Sequence, residues 1–178
     1  MIYIFLANGF EETEALVPLD ILRRAKVEVK TVGIGGKTIV GSHGISVNCD
    51  TVSKDLSFND LKGIVLPGGL PGATNIEADS TVQNAIAYCA KNGLLISAIC
   101  AAPQILGHKD LLNGKNAVCF PGFEKELKGA KIQNQKVVRD GNFITAWGAG
   151  AAFEFGFEIL CYLTNSDTAK SMRESMKY

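Results

Sequence analysis

Five cysteines, at positions 49, 89, 100, 119 and 161, are the strongest nucleophiles in this chain. The number is odd and no close C-x-x-C pair occurs, which fits neither a disulfide framework nor a structural zinc site. A cysteine does chemistry as its thiolate, so the question is where the sequence favours the anion. The segment Ser97-Ala98-Ile99-Cys100-Ala101-Ala102-Pro103 places small residues on both sides of Cys100, as a sharp strand-to-helix turn requires. It reads as a nucleophile elbow with a thiol in place of a hydroxyl. A sulfur held at the start of the following helix faces free N–H groups, so its pKa is expected to fall below the ~8.5 of free cysteine. Pro103 suits an early helical position, where its missing N–H costs little. The competing reading, Cys100 as a small buried hydrophobe, stands on this segment alone. Cys89 and Cys161 fall within helical patterns and read as core residues, and Cys49 closes a small hairpin.

Two further segments carry groups that serve a thiolate. Gly68 and Gly69, in Leu66-Pro67-Gly68-Gly69, can turn backbone N–H groups toward a developing oxyanion together with the Ala101 amide. They equally suit a plain loop after a strand. Glu11, Glu12 and Glu14 open a helical pattern, where acids favour the helix dipole and commonly sit on the surface. If Glu14 instead approaches Cys100, two anions in a partly dry site cannot both persist. The carboxyl is then protonated and donates to sulfur.

The elements that must position these residues alternate between short apolar runs and helical patterns, which predicts a parallel sheet covered by helices. Met1 to Ala7 reads as a buried strand, Asn8-Gly9-Phe10 as a turn, and Glu11 to Arg24 as a helix with Pro18 imposing a kink or a late start. Val27 to Ile34 reads as a strand and Lys37 to Asn48 as a short hairpin, both extending the sheet edge. Gly63 to Leu66 and Leu94 to Ile99 are strands, with a helix from about Ser80 to Lys91 between them. A short helix to about His108, a strand near Asn116 to Cys119, a hairpin through Asp140-Gly141, an apolar helix from about Ala151 to Leu163 and a polar terminal helix follow. In such a sheet the loops leaving the carboxyl ends of the strands share one edge, which brings Glu14, Gly69 and Cys100 to one crevice.

Composition sets the outer bounds. The 178 residues suit one domain spanning 1–178, with 47% hydrophobic and 20% charged residues and a formal net charge of zero. A zero net charge supplies no global field for nucleic acid or anionic lipid, so no specific nucleic-acid or membrane partner is expected. The apolar opening run lacks a preceding basic residue and is too short to span a bilayer. With unpaired cysteines, a reducing cytoplasmic setting is the simplest expectation.

Taken together, Gly9-Phe10-Glu11-Glu12-Thr13-Glu14, Leu66-Pro67-Gly68-Gly69 and Ala98-Ile99-Cys100-Ala101-Ala102-Pro103 resemble the ThiJ/PfpI superfamily, and within it the Parkinson disease protein 7 branch. Asp20 to Ala25, Gly72-Ala73-Thr74-Asn75, Gly148-Ala149-Gly150 and Phe153-Glu154-Phe155 extend the likeness to about residue 164. The resemblance implies a flavodoxin-like three-layer α/β sandwich, a homodimer built partly on the first helix, Cys100 as the reactive cysteine, Glu14 as its protonated partner, and Gly69 and Ala101 as oxyanion amides. No cofactor or metal is implied. The activities it implies are reaction with methylglyoxal, glyoxal or glycated protein, redox sensing through cysteine sulfenate or sulfinate, or chaperoning. The partner is then a small aldehyde or an oxidant.

This chain departs from that pattern at three positions. Phe120 stands where many relatives carry a histidine, the usual proton shuttle, which weakens a peptidase or amidotransferase reading. His43 and Trp147 stand where relatives often carry arginine. Gly68, His43, Phe120 and Trp147 are therefore expected to line a pocket that is less cationic and more aromatic. His108, the other histidine, reads as structural.

Overall fold

The computed structural model describes residues 1–178. Its first strand, β1 (Ile2–Leu6), is wholly buried because side chains of both parities face apolar layers. Ile2, Ile4 and Leu6 enter one core with the helices α1 (Glu12–Arg24) and α5 (Ala152–Leu163). Tyr3 and Phe5 enter a second core with α3 (Ser80–Asn92) and α4 (Pro103–Gly107). A strand covered on both faces reads as a continuous apolar run, which is how it appeared in the sequence.

Six strands join β1 in one sheet: β2 (Val29–Gly33), β5 (Thr51–Val52), β6 (Gly63–Leu66), β7 (Leu95–Ile99), β10 (Val137–Asp140) and β11 (Phe143–Ala146). Their order is β10-β11-β7-β6-β1-β2-β5, parallel except for β10 against β11. The chain thus steps outward from β1 in both directions, and the ends of β1, β6 and β7 form the crevice at this reversal. The Asp140-Gly141 hairpin forms as expected, with Gly141 at φ 63.

Three expectations need correction. The hairpin of β3 (Thr38–Val40) and β4 (Ser46–Asn48) does not extend the main sheet but forms a separate two-stranded one. Its tip is tied instead to the start of α1, and the edge position beside β2 goes to β5. Pro18 neither delays nor ends α1, which runs unbroken from Glu12. A Cβ on Gly156 would lie 3.1 Å from Pro18 Cα, so glycine there lets α5 seat directly against the proline turn. The helix α2 (Gly72–Ala78) was not foreseen, because glycine, threonine and asparagine hide it. Asp79 ends α2 and caps α3 by accepting from the N–H groups of Thr81 and Val82 at 2.9 and 3.0 Å.

The short strands β8 (Asn116–Ala117) and β9 (Lys131–Ile132) pair in parallel below β10, and α6 (Ser166–Ser175) closes the chain. No helix is long and apolar enough to cross a membrane.

Candidate active site

The turn after β7 is an elbow. Cys100 has φ 64, one of few non-glycine residues in the left-handed region, a conformation L side chains adopt at a cost of order 1 kcal/mol. Hydrogen bonds hold it there: the Cys100 N–H donates to Ala146 O and its carbonyl accepts from the Phe120 N–H, both at 2.9 Å. The strained residue points its sulfur away from the strand into the crevice, partly exposed, while Ala101 and Ala102 behind it are buried.

Glu14, in the first turn of α1, reaches the same place and is 1% exposed. Its carboxyl accepts from the Gly68 N–H at 2.9 Å and lies close enough to the Cys100 sulfur and the Ala149 N–H for each to bear on its titration. Its own N–H is taken by the Glu11 carboxylate at 2.7 Å, so Glu11 caps the helix that aims Glu14 inward. Gly68 must be glycine for this pair to meet, since a Cβ there would sit 2.7 Å from both Cys100 Cβ and Glu14 Oε2. Gly69 has φ 83 and packs against the turn before α1, where Glu11 N–H donates to Gly68 O at 3.0 Å. The N–H groups of Gly69 and Ala101 are thereby directed at the Cys100 sulfur.

Burial pushes the Glu14 carboxyl up to about 7, against the hydrogen bonds that favour its charged form. Burial also pushes the Cys100 thiol up, to about 12 when Glu14 is charged beside it, against the Ala101 and Gly69 amides. The expectation of a thiol lowered by a helix terminus is therefore corrected. The helix that follows, α4, has only five residues and begins at Pro103, directly after Ala102, whose N–H already donates to Ile99 O at 3.1 Å in the elbow turn. A proton on Glu14 would remove the like charge that helps to raise the Cys100 thiol.

The other expected pocket residues separate into two groups. Phe120 sits at the rim, 47% exposed, with its ring over Gly148, and half-buried Trp147 packs against the same core as Cys100. His43 does not contact Cys100 or Glu14. Its Nδ1 lies 2.8 Å from Glu12 Oε2 on the hairpin tip, and 69% of its side chain is exposed. The bond to Glu12 holds the imidazole pKa up, so its proton is spent on this contact. Glu11, Glu12 and His43 bring three ligand-type atoms within 4.8 Å of one another. Buried Glu12, however, is occupied by the N–H groups of His43 and Ile45 and by Ser42 Oγ, so the cluster anchors the hairpin. These bonds outweigh burial and keep Glu12 below the usual carboxylate range.

Sequence reasoning missed the roles of Ala149 and Glu11 beside Glu14. The Gly148-Ala149-Gly150 motif signalled the first, since glycines flank a backbone that must approach a ligand group. Nothing local marks Glu11 as a cap rather than one more surface acid. Leu70, next to Gly69, is 56% exposed.

A mostly parallel sheet covered by helices on both faces, with a cysteine on the turn after a central strand beside a buried carboxyl, defines a flavodoxin-like α/β fold. The DJ-1/PfpI family model matches residues 1–161, and the chain belongs to that family. It is 31% identical over 176 residues to protein dj-1beta of Drosophila melanogaster, spanning 97% of this chain and 94% of that one. It is also 31% identical over 175 residues to the Parkinson disease protein 7 homolog of Danio rerio, spanning 96% and 93%. The structure of Toxoplasma gondii DJ-1, oxidized, superposes with a TM-score of 0.95 at 28% identity, over 99% of this chain and 97% of that one.

Proposed function

We propose that this chain is a cysteine-dependent stress-response protein that acts on reactive α-oxoaldehydes such as methylglyoxal and glyoxal, free or as protein adducts, through Cys100. The observation that carries the reading is the Cys100 sulfur beside the buried Glu14 carboxyl with the Gly69 and Ala101 amides converging on it. The thiolate adds to the aldehyde carbon, forming a C–S bond, and the carbonyl oxygen takes the electron pair. The two amides stabilise that oxyanion and Glu14 supplies its proton. Glu14, now a carboxylate near its own pKa of about 7, removes the C1 proton and returns one to C2, giving a 2-hydroxyacyl thioester. Water attacks the thioester carbon, the C–S bond breaks and the thiolate is regenerated. The net change is aldehyde plus water to 2-hydroxy acid.

With Phe120 in place of a histidine and His43 tied to Glu12, Glu14 carries every proton transfer, and turnover is slow. The test is lactate formed from methylglyoxal by wild type, Cys100→Ser and Glu14→Gln. Loss in both variants is expected, and equal rates in all three would sink the reading.

A second reading is favoured by the partial exposure of Cys100 and the absence of a contacting histidine: a redox sensor. The thiolate displaces water from hydrogen peroxide to give sulfenate, a second peroxide gives sulfinate, and the Glu14 hydroxyl donates to the new oxygen. That the similar structure of Toxoplasma gondii DJ-1 is of the oxidized protein supports it. A cytoplasmic setting and pairing with a second copy complete the proposal. The pairing is supported by exposed Val40 and Ile45 on the hairpin beside α1 and is tested by light scattering on the purified chain.

A further inference from the structure

The charged side chains that act on the reactive pair are carboxylates: Glu14 on the Cys100 sulfur, and Glu11 on Glu14. No lysine, arginine or histidine is among them. A substrate that brought its own carboxylate into this crevice would meet like charge in a site dry enough to hold Glu14 up at about 7. Two exposed apolar side chains adjoin groups of the site in the chain or by hydrogen bond. Leu70 directly follows the Gly69 amide and is 56% exposed. Phe120 is fixed to the elbow by its N–H bond to Cys100 O at 2.9 Å, and its ring edge lies 3.2 Å from where a Gly148 Cβ would stand. Gly148 in turn precedes Ala149, whose N–H serves Glu14, so this ring borders the same groups as the reacting atoms.

Single exposed apolar side chains are ordinary on protein surfaces. Two of them, each within one residue or one hydrogen bond of a group that touches the sulfur, form a rim able to desolvate an apolar substituent. The polar requirement for an aldehyde oxygen is met at the centre by the two amides.

Building on the aldehyde reading above, we infer that the site selects neutral α-oxoaldehydes bearing an aryl or branched-alkyl substituent, with Leu70 and Phe120 as the residues that hold that substituent. Carboxylate-bearing α-oxoaldehydes are turned away by Glu11 and the Glu14–Cys100 pair. Trp147 is half-buried against the core and is not one of the two that hold the substituent.

Three aldehydes separate the possibilities: methylglyoxal, phenylglyoxal and 4,5-dioxopentanoate, each converted to its 2-hydroxy acid and compared by kcat/KM. Wild type is expected to prefer phenylglyoxal to methylglyoxal and to be poorest with 4,5-dioxopentanoate. Phe120→Ala and Leu70→Ala should each lower the phenylglyoxal to methylglyoxal ratio about tenfold, chiefly through KM, as loss of an apolar pocket contact does. Phe120→Lys should raise 4,5-dioxopentanoate relative to both neutral aldehydes. Both alanine variants remove exposed side chains, and a variant that loses its circular dichroism signal leaves the other, and the wild-type order, to decide.

If methylglyoxal is turned over through Cys100 but 4,5-dioxopentanoate does as well as phenylglyoxal, or the ratio stays put in the folded variants, the selectivity is overturned while the aldehyde reading stands. If wild type makes no hydroxy acid from any of the three, the aldehyde reading fails and the selectivity with it.

Discussion

The Glu14 carboxyl and the Cys100 side chain face each other across the space that a Cβ on Gly68 would fill, and the Gly68 N–H donates to Glu14 Oε2 at 2.9 Å. The two residues are far apart in sequence and arrive on different elements. Burial pushes both groups up, and the charge on Glu14 raises the thiol further, so the protonation of one bears on that of the other.

Gly68→Ala should therefore disable the pair without removing either member. The added methyl must displace Cys100 Cβ, Glu14 Oε2 or Ile99 O, the last at 3.0 Å. Overpacking of this kind costs about 1–3 kcal/mol. Urea denaturation reads that cost, and iodoacetamide labelling of Cys100 should slow by about tenfold. Labelling at the wild-type rate would mean that the carboxyl contact does not set reactivity.

Glu14 also makes stability depend on pH. Its carboxyl titrates at about 7 when folded against 4.5 unfolded, so between those values the folded chain binds the extra proton. Stability is then greatest below pH 4.5 as far as this group is concerned, falls as pH rises toward 7, and levels off above. The loss is on the order of 3 kcal/mol for a shift of this size. Glu14→Gln, neutral at every pH, should flatten that slope and raise stability at pH 8. An unchanged slope would assign the pH dependence to other groups.

Graded hydrogen peroxide followed by mass spectrometry should modify Cys100 before Cys49, Cys89 or Cys119. Those three are 2%, 0% and 4% exposed, whereas Cys100 is partly exposed and open to the peroxide. Glu14→Leu should slow oxidation of Cys100 by removing the donor that favours its anion. Cys49 or Cys119 oxidising first would count against the sensor reading.

His108 bridges two carboxylates, Glu77 of α2 at 2.6 Å and Glu126 at 3.0 Å, and so ties together the segments that follow Gly69, Cys100 and Phe120. The bond to Glu77, then that to Glu126, holds its pKa above 6.5. The stabilisation is fully present below pH 6.5, the unfolded value, and disappears as pH rises through the raised folded value. His108→Gln should cost about 1 kcal/mol at pH 6 and little at pH 9, since both partners are part-exposed. Urea midpoints at the two pH values check this, and an equal loss at both would make the role one of packing alone.

Much of the fold was legible because strands buried on both faces carry uninterrupted apolar runs, as in β1, β6 and β7. The helix α2 was not, since its stability comes from Ile76 and Ala73 packing under the sheet edge and not from local propensity. The β3–β4 hairpin was read correctly as a hairpin but assigned to the wrong sheet. What decides its place is Glu12, whose buried carboxylate gathers backbone and side-chain donors from residues 42, 43 and 45.

By itself the sequence determined that Cys100 sits on a turn of small residues and that an acid and a glycine pair leave strands at the same sheet edge. Alternation of elements is a local property, and it dictates which loops share an edge. Only the tertiary structure decided that Glu14, and not Glu11 or Glu12, reaches the sulfur. Helical geometry turns adjacent acids to different faces, sending Glu11 to cap the helix and Glu12 to the hairpin. It also removed His43 from the chemistry, because a contact 31 residues away in sequence claims its ring nitrogen. Reactivity depends on distances of a few ångströms between such segments, and these are set by the packing of α1 against the sheet.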